Sequence, residues 1–391
     1  MAAFLAHLGN PERSFKSFHV AGTNGKGTVS TIIYRILQAH GHKVGLYTSP
    51  HLLKFNERIV VDDITISDEE IAQFVDKHKL YIDEAELTFF EITTAMAFDS
   101  FSRNSVEYAV VEVGLGGRLD ATNLLIPLVS VICDISMDHE DWLGNDVKLV
   151  AAEKAGIIKS GVPVVTGITN PDANGVVSEK SEEKKACLFD LFKCATWNII
   201  DQSQSETIFN LSILNSEAKR FVLPMPALHQ VQNCSLALLA VCAASVPTTS
   251  EKEYKGILAS RLKGRLEYIE SKPSLIIDVA HNPKKIFGLT EYLKKFFMNR
   301  KKVAVFGVMK DKNYREMVGL LKECVDVFVF TQPSVERALP AVALLDFATG
   351  EVIPNVELAI KRAKEIAGYD GLVIVTGSFY TVGEFLEIAR I

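Results

Sequence analysis

The run AGTNGKGT, residues 21–28, sets glycines at 22, 25 and 27 around Thr23, Asn24, Lys26 and Thr28. It lies where a β-leaning run, residues 16–20, hands over to residues 29–40, in which Ile32, Ile33, Ile36 and Leu37 recur at helical spacing and Gly41 marks the stop. Backbone N–H groups at such a junction, together with the helix dipole, face a bound anion, so the loop is a phosphate cradle. It is not the standard G-x-x-x-x-G-K-[ST], because Gly22 and Gly25 are too close and Gly27 intervenes between Lys26 and Thr28. The roles still map, with Lys26 as the cation on the outer phosphates and Thr28 as a hydroxyl near a metal. Three glycines merely making a tight turn would leave Lys26 and Thr28 unexplained.

A second glycine cluster, EVGLGGRLDATN at residues 112–123, also follows an apolar strand. It fits a dinucleotide fingerprint poorly, since Pro127 and a new strand arrive before any helical pattern. The alternative makes Glu112 a metal ligand at the strand's end and places Asp120 and Asn123 in a substrate loop. The next strand runs into CDISMDHEDWLG, residues 133–144, with His139 between two acids. Ser49, Glu112 and His139 would then converge at the carboxyl edge of one sheet beside the phosphate loop, where α/β sheets bind ligands. Oxygen ligands and one imidazole suit a Mg²⁺ held against a triphosphate. In EKAGIIK, residues 153–159, Lys154 sits on an otherwise apolar helix end, where a snorkelling surface lysine is the plain alternative. Further on, DVAHNP (278–283) and TGSFYT (376–381) each end a buried strand; both suit a small ligand, and in both Asp278 or Ser378 could simply cap backbone donors.

Positioning these residues takes alternating strands and helices. Strands are expected at 43–48, 108–113, 128–134 and 163–166, with helices at 68–84, 90–101 and 146–157, which makes an α/β domain with parallel pairing and right-handed crossovers. Residues 195–223 change to shorter, more polar strands, read as an antiparallel insertion or edge hairpin, and 228–244 as one long buried helix. A second α/β alternation begins past Gly264, with strands at 275–279, 302–308, 325–331 and 371–376 and helices such as 313–324 and 355–366. The domain boundary falls near residues 258–270, giving domains 1–262 and 263–391. Length and a 48% apolar composition allow more than one core, and a net charge of −6 argues against nucleic acid as main partner. The longest apolar stretch is well short of the ~20 residues a membrane span needs. With no basic n-region at the start and six scattered cysteines without a C-x-x-C pair, a reduced, cytoplasmic protein is expected, free of a signal peptide.

Taken in order, HVAGTNGKGT, TSPHL with NERI, EVGLGGRLDATN, MDHEDWLG, EKAGIIK, HQVQN, GRLE, DVAHNP and TGSF resemble the folylpolyglutamate synthase and dihydrofolate synthase family of the Mur ligase superfamily. The resemblance runs from about Phe18 to the C-terminus. It implies an N-terminal Mur-ligase-type P-loop ATPase domain and a smaller C-terminal Rossmann-like α/β domain, with the active site in the cleft between them. By the same resemblance Thr23, Asn24, Gly25, Lys26, Gly27 and Thr28 bind ATP phosphates, Ser49, Glu112 and His139 ligate Mg²⁺, and Lys154 matches a carbamylated lysine. Asn233, Arg265 and Asp278 match nucleotide-binding positions, with His281 close by. Thr88, Phe89, Phe90, Leu119, Asp120 and Ala121 look like dihydropteroate contacts, and Ser378 and His281 help hold glutamate. The implied reaction is ATP-dependent ligation of L-glutamate to a folate-type carboxylate through an acyl phosphate, by a monomer. Family members carry a longer stretch before the phosphate loop, so dihydrofolate synthesis is implied less firmly than ATP and metal binding. Rival readings are another Mur-type ligase with a different carboxylate, a nucleotide-binding module that has lost catalysis, and, less well fitted, a dehydrogenase.

Overall fold

Short apolar runs alternating with 3.6-period segments bury their faces by layering helices on a sheet, and the computed structural model, which describes residues 1–136 and 146–389, has that arrangement twice. The first sheet comprises β1 (Lys16–Ala21), β2 (Val44–Tyr47), β3 (Ile59–Val61), β4 (Ile64–Thr65), β5 (Tyr108–Glu112), β6 (Val129–Ile132), β7 (Val164–Thr166) and β8 (Leu188–Asp190). Among the described residues their order is β4-β3-β2-β5-β1-β6-β7-β8. From β2 to β8 the pairing is parallel; β3 and β4 are antiparallel additions at one edge. The central strands are buried on both faces, which is why they read as continuous apolar runs rather than alternations.

The helix Lys26–Ala39 buries Val29, Ile32, Ile33, Ile36 and Leu37 and stops at His40, with Gly41 at φ 86° behind it, as the spacing predicts. Against it lies the helix Ser250–Leu258, so close that a Cβ on Gly256 would stand 2.6 Å from Ile36 Cα and 2.8 Å from Arg35 O. The expected helices at 68–84, 90–101 and 146–157 appear as Asp68–Glu84, Phe89–Arg103 and Val147–Ala155. Ser67 and Thr88 start the first two through reciprocal capping with Glu70 and Glu91.

Residues 195–223 form a separate sheet rather than an edge hairpin: β9 (Ala195–Gln202), β10 (Thr207–Ile213) and β11 (Lys219–Leu223), ordered β11-β10-β9. The long apolar segment after it is the buried helix Leu228–Ala243, and no helix among the described residues is long and apolar enough to cross a membrane. The third sheet holds β12 (Glu267–Ile269), β13 (Ser274–Ile277), β14 (Lys302–Phe306), β15 (Val327–Phe330), β16 (Gly350–Val352) and β17 (Leu372–Thr376) in the order β12-β13-β17-β14-β15-β16. All its pairs are parallel except β12 with β13.

The chain divides into two compact units, Met1–Ile200 with Ile208–Leu223 and Gln230–Ser260, and everything from Arg261 onward with Asp201–Thr207 and Pro224–His229. Those two short segments lie far before the boundary read from the sequence. Within the second unit they are tied by Tyr292 Oη donating to Gln204 O (2.7 Å), by Thr207 Oγ1 donating to Met225 O (3.0 Å), and by Ala227 in the core around Ile276, Leu293 and Phe306.

Two glycine substitutions should move stability in opposite directions. Gly175, in the helix Pro171–Glu183, has nothing within 4 Å of a new Cβ, so Gly175→Ala should stabilise by up to ~1 kcal/mol through helix propensity. Gly256→Ala meets backbone that cannot swing aside and should destabilise by about 1–3 kcal/mol, measured as the shift in thermal midpoint of the two variants side by side.

Candidate active site

Parallel register does the first part of the assembly. Val20 pairs with Glu112, so the end of β5 stands level with the start of the glycine loop that follows β1. Within that loop Gly25 is the N-cap of the helix at φ 89°, in the left-handed region, and a Cβ there would lie 2.5 Å from Asn233 Oδ1. Asn233, from the helix Leu228–Ala243, is thereby packed onto the cradle. Lys26 Nζ donates to Gly22 O at 3.0 Å and lies 3.8 Å from Glu112 Oε1, with the lysine side chain 18% and the glutamate 5% exposed. Thr28 is buried in the first turn.

Thr23 and Asn24, read from the sequence as phosphate contacts, spend their side chains on the segment after β6. Thr23 Oγ1 donates to Ser136 O (3.0 Å) and receives Ser136 N–H (3.2 Å), while Asn24 Nδ2 donates to Ser136 Oγ (3.0 Å) and Asp134 Oδ2 (3.3 Å). The Thr23 N–H also goes to Asp134 O at 2.7 Å. These bonds fix the loop's outer limb.

The strand ends gather around Cys133, a buried thiol within electrostatic reach of Lys26, Glu112, Asp134 and Lys154; burial pushes that thiol far above its ordinary pKa, so it stays neutral. Lys154 is 5% exposed, which rules out a snorkelling surface side chain. Ser49 is half-buried just beyond the end of β2, which pairs with β5. His139, the third expected metal ligand, lies outside the described residues.

The second glycine cluster is a clamped loop, not a nucleotide fingerprint. A Cβ on Gly114 would run into the Phe90 ring at 2.2 Å and one on Gly117 into Glu153 O at 2.7 Å, so these glycines admit close packing by neighbouring elements. Asp120 caps the 3₁₀ turn Ala121–Leu124 and accepts from the amides of Gly114, Leu115 and Thr122, each at 3.0 Å. Arg118 pairs with Glu153 at 2.9 Å, and Asn123 Nδ2 donates to Gly156 O at 3.1 Å. Leu119 is left 79% exposed, with Ala121 partly covered. Among the other expected acceptor contacts, Thr88 caps its helix and Phe90 packs on Gly114, while Phe89 stands exposed in edge contact with Phe55 (5.9 Å).

Sequence reasoning passed over Arg58, which is buried, donates from Nε to His51 Nδ1 at 2.9 Å, and lies over the rings of Phe55 and Phe89. Burial and the Arg58 charge hold the His51 imidazole below its usual pKa. Charge inside NERI, next to TSPHL, was the available signal. His19 and Lys159 were likewise passed over, one inside an apolar strand and the other at the end of EKAGIIK.

In the second unit Asp278 is buried, and its carboxylate accepts from Leu266 N–H (2.8 Å) and Ala280 N–H (2.9 Å). Burial pushes this carboxyl up, against the pull of those amides and of Arg265. His281 Nδ1 bonds Val279 O at 2.9 Å, Lys285 Nζ approaches its Nε2 at 3.3 Å, and its ring lies 5.4 Å from Phe379, over which Arg265 also sits. Ser378 is buried, and its Oγ receives Thr381 N–H at 3.0 Å. Asp278 and Ser378 thus both do the capping work that the sequence had left as the alternative.

Known proteins match the chain along nearly its whole length. The profile of the Mur ligase middle domain matches residues 20–241, and that of the Mur ligase glutamate ligase domain matches residues 264–379. A dihydrofolate synthase/folylpolyglutamate synthase of Bacillus subtilis is 35% identical, covering 98% of this chain and 93% of its own. A folylpolyglutamate synthase of Lacticaseibacillus casei is 33% identical over 96% and 90% of the two chains. Among solved structures, Mycobacterium tuberculosis folylpolyglutamate synthase complexed with ADP superposes with a TM-score of 0.92 at 31% identity, over 99% of this chain and 93% of the other. E. coli FolC in complex with DHPP and ADP gives 0.88 at 32% identity, over 98% and 91%. Identity of this extent, with both domains matched in order, places the chain in the folylpolyglutamate synthase/dihydrofolate synthase family of the Mur ligases.

Proposed function

We propose that the chain joins L-glutamate to a folate-type carboxylate at the expense of ATP, elongating folates and also converting dihydropteroate, as a cytoplasmic monomer. The observation that carries this reading is the Lys26–Glu112 pair at the lip of the glycine cradle, with buried Lys154 in the same electrostatic neighbourhood. It is supported by relatives solved with ADP and by the glutamate ligase profile; six free thiols support the cytoplasmic placement.

In this reading the backbone amides of the cradle and Lys26 hold the ATP phosphates. The acceptor carboxylate oxygen bonds to the γ-phosphorus as the bond to ADP breaks, giving an acyl phosphate. The glutamate nitrogen then attacks the acyl carbon and phosphate leaves. Lys26 neutralises charge on the transferring phosphoryl group, so catalysis is positioning plus electrostatics. Glu112 and Ser49 are hard oxygen donors at adjacent strand ends and fit Mg²⁺, with His139 assigned as a third ligand. Bound there, the ion would screen phosphate charge. Lys154, carbamylated, would add an anionic ligand; buried among charges of both signs, it is suited to that conversion. Asn233, Arg265 and Asp278 are assigned to the nucleotide, Asp278 through the turn it shapes. His281, whose Nδ1–H is spent on Val279 O and whose Nε2 meets Lys285 Nζ at 3.3 Å, is assigned to the glutamate side. The exposed faces of Phe89 and Leu119 receive the pterin side, with Thr88, Phe90, Asp120 and Ala121 shaping the surface beneath it. Ser378 shapes the glutamate side.

ADP release measured with Mg²⁺, ATP and L-glutamate should be stimulated by tetrahydrofolate and by dihydropteroate; stimulation by neither would move the reading to another carboxylate. Lys26→Ala and Glu112→Ala should each lower kcat by ~100-fold or more with the thermal midpoint nearly unchanged, and retained turnover in either would remove that residue from the mechanism. If Lys154 is carbamylated, Lys154→Ala should be inactive and partly rescued by added short-chain carboxylates, whereas Lys154→Arg should stay inactive under the same additions.

A further inference from the structure

His19 is fully buried in β1, between Phe18 and Val20 and paired in register with Val111 and Ser130. An apolar side chain would suit such a position better, because a buried polar group costs stability unless it is hydrogen-bonded. What the imidazole touches is the substrate loop: Nε2 lies 2.8 Å from Thr122 Oγ1, itself fully buried. Thr122 Oγ1 in turn lies 2.5 Å from Asp120 Oδ1, which also takes Thr122 N–H, while Asp120 Oδ2 takes the amides of Gly114 and Leu115.

The direction of every proton follows. Three backbone amides and one hydroxyl converge on a single carboxylate, so Asp120 accepts throughout and the Thr122 hydroxyl hydrogen is spent on it. Thr122 Oγ1 can then only accept from His19, which fixes the Nε2–H tautomer and leaves Nδ1 bare. That Nδ1 is buried with no hydrogen-bond partner among the described residues. Burial, and after it the charge of Lys159, hold the imidazole pKa down to about 3, so the ring stays neutral wherever the enzyme would work. Lys159 holds the residue next to Thr122, its Nζ donating to Asn123 O (2.6 Å) and Oδ1 (2.9 Å). Tied down at residues 122–123 and through Asp120 to the amides of Gly114 and Leu115, the loop leaves Leu115 and Leu119 41% and 79% exposed.

We propose that His19 and Thr122 are positioning residues, a buried relay through Asp120 that fixes the 114–123 loop in the shape that receives the folate-type acceptor. The proposal rests on the folate-ligase reading of that loop, and its test separates the two. Thr122→Val removes the hydroxyl at nearly constant shape, His19→Phe removes the donor, and Thr122→Ser keeps the bond. Hydrogen exchange of residues 114–123, read by mass spectrometry on the full chain, should quicken by about 10-fold in Thr122→Val and His19→Phe and stay near wild type in Thr122→Ser, with β1 and β6 protection unchanged. In steady-state ADP release, KM for the acceptor should rise by about 10-fold in the first two variants, KM for ATP should stay within about twofold, and Thr122→Ser should restore both. Unchanged loop exchange, or KM values for ATP and acceptor that rise together, would overturn the relay. Should wild type release no ADP with any folate-type acceptor, the functional reading falls, and the exchange measurement alone still decides the relay.

Discussion

A lysine and a glutamate facing each other where two parallel strands end are the pivot of the first unit. Neither Lys26 nor Glu112 has much water around it, so the field between them is little screened. The geometry of the pair follows from backbone register, Val20 against Glu112. Gly25 against Asn233, and Thr23 and Asn24 tied to Asp134 and Ser136, then hold the loop that carries Lys26. Rigidity of this kind matters because electrostatic stabilisation of a transferring phosphoryl group is effective only when the charges are already in place.

The second unit shows the same economy in another form. Asp278 gives its carboxylate to two backbone amides and Ser378 its hydroxyl to a third, so the residues that look most like ligand contacts are the ones that shape the turns. The side chains carried by those turns, His281 on one and Phe379 after the other, are what the turns bring together. A loop built in this way keeps its form while its exposed side chains change.

Much of this was legible in the amino-acid order. Strands such as β1, β5 and β14 are buried on both faces and therefore announce themselves as apolar runs, and the helices at 68–84 and 89–103 carry capping pairs that mark their first turns. Glycine spacing located the cradle because a strand-to-helix junction has few other uses for Lys26. What stayed hidden depends on long-range contact. β3, β4, β12 and β16 are too short to show a period, and Asn233 meets Gly25 only through folding. His19 looked like one polar residue in an apolar strand because its partner, Thr122, stands on a different element. Asp120 was read only as part of a substrate loop, and that its side chain is also the hub of that loop shows only in the fold.

The lengths of the outermost strands have a consequence for the molecule's behaviour in a crowded solution. Both large sheets end on strands of two or three residues, β4 and β8 in one and β12 and β16 in the other. Strands that short expose only one or two free ladder positions, too few to recruit a passing chain into an extended sheet. In these two sheets the longer, strongly apolar strands such as β1, β5, β14 and β17 are enclosed on either side. The two large sheets, rich in valine and isoleucine, thus keep their most adhesive strands paired on both sides.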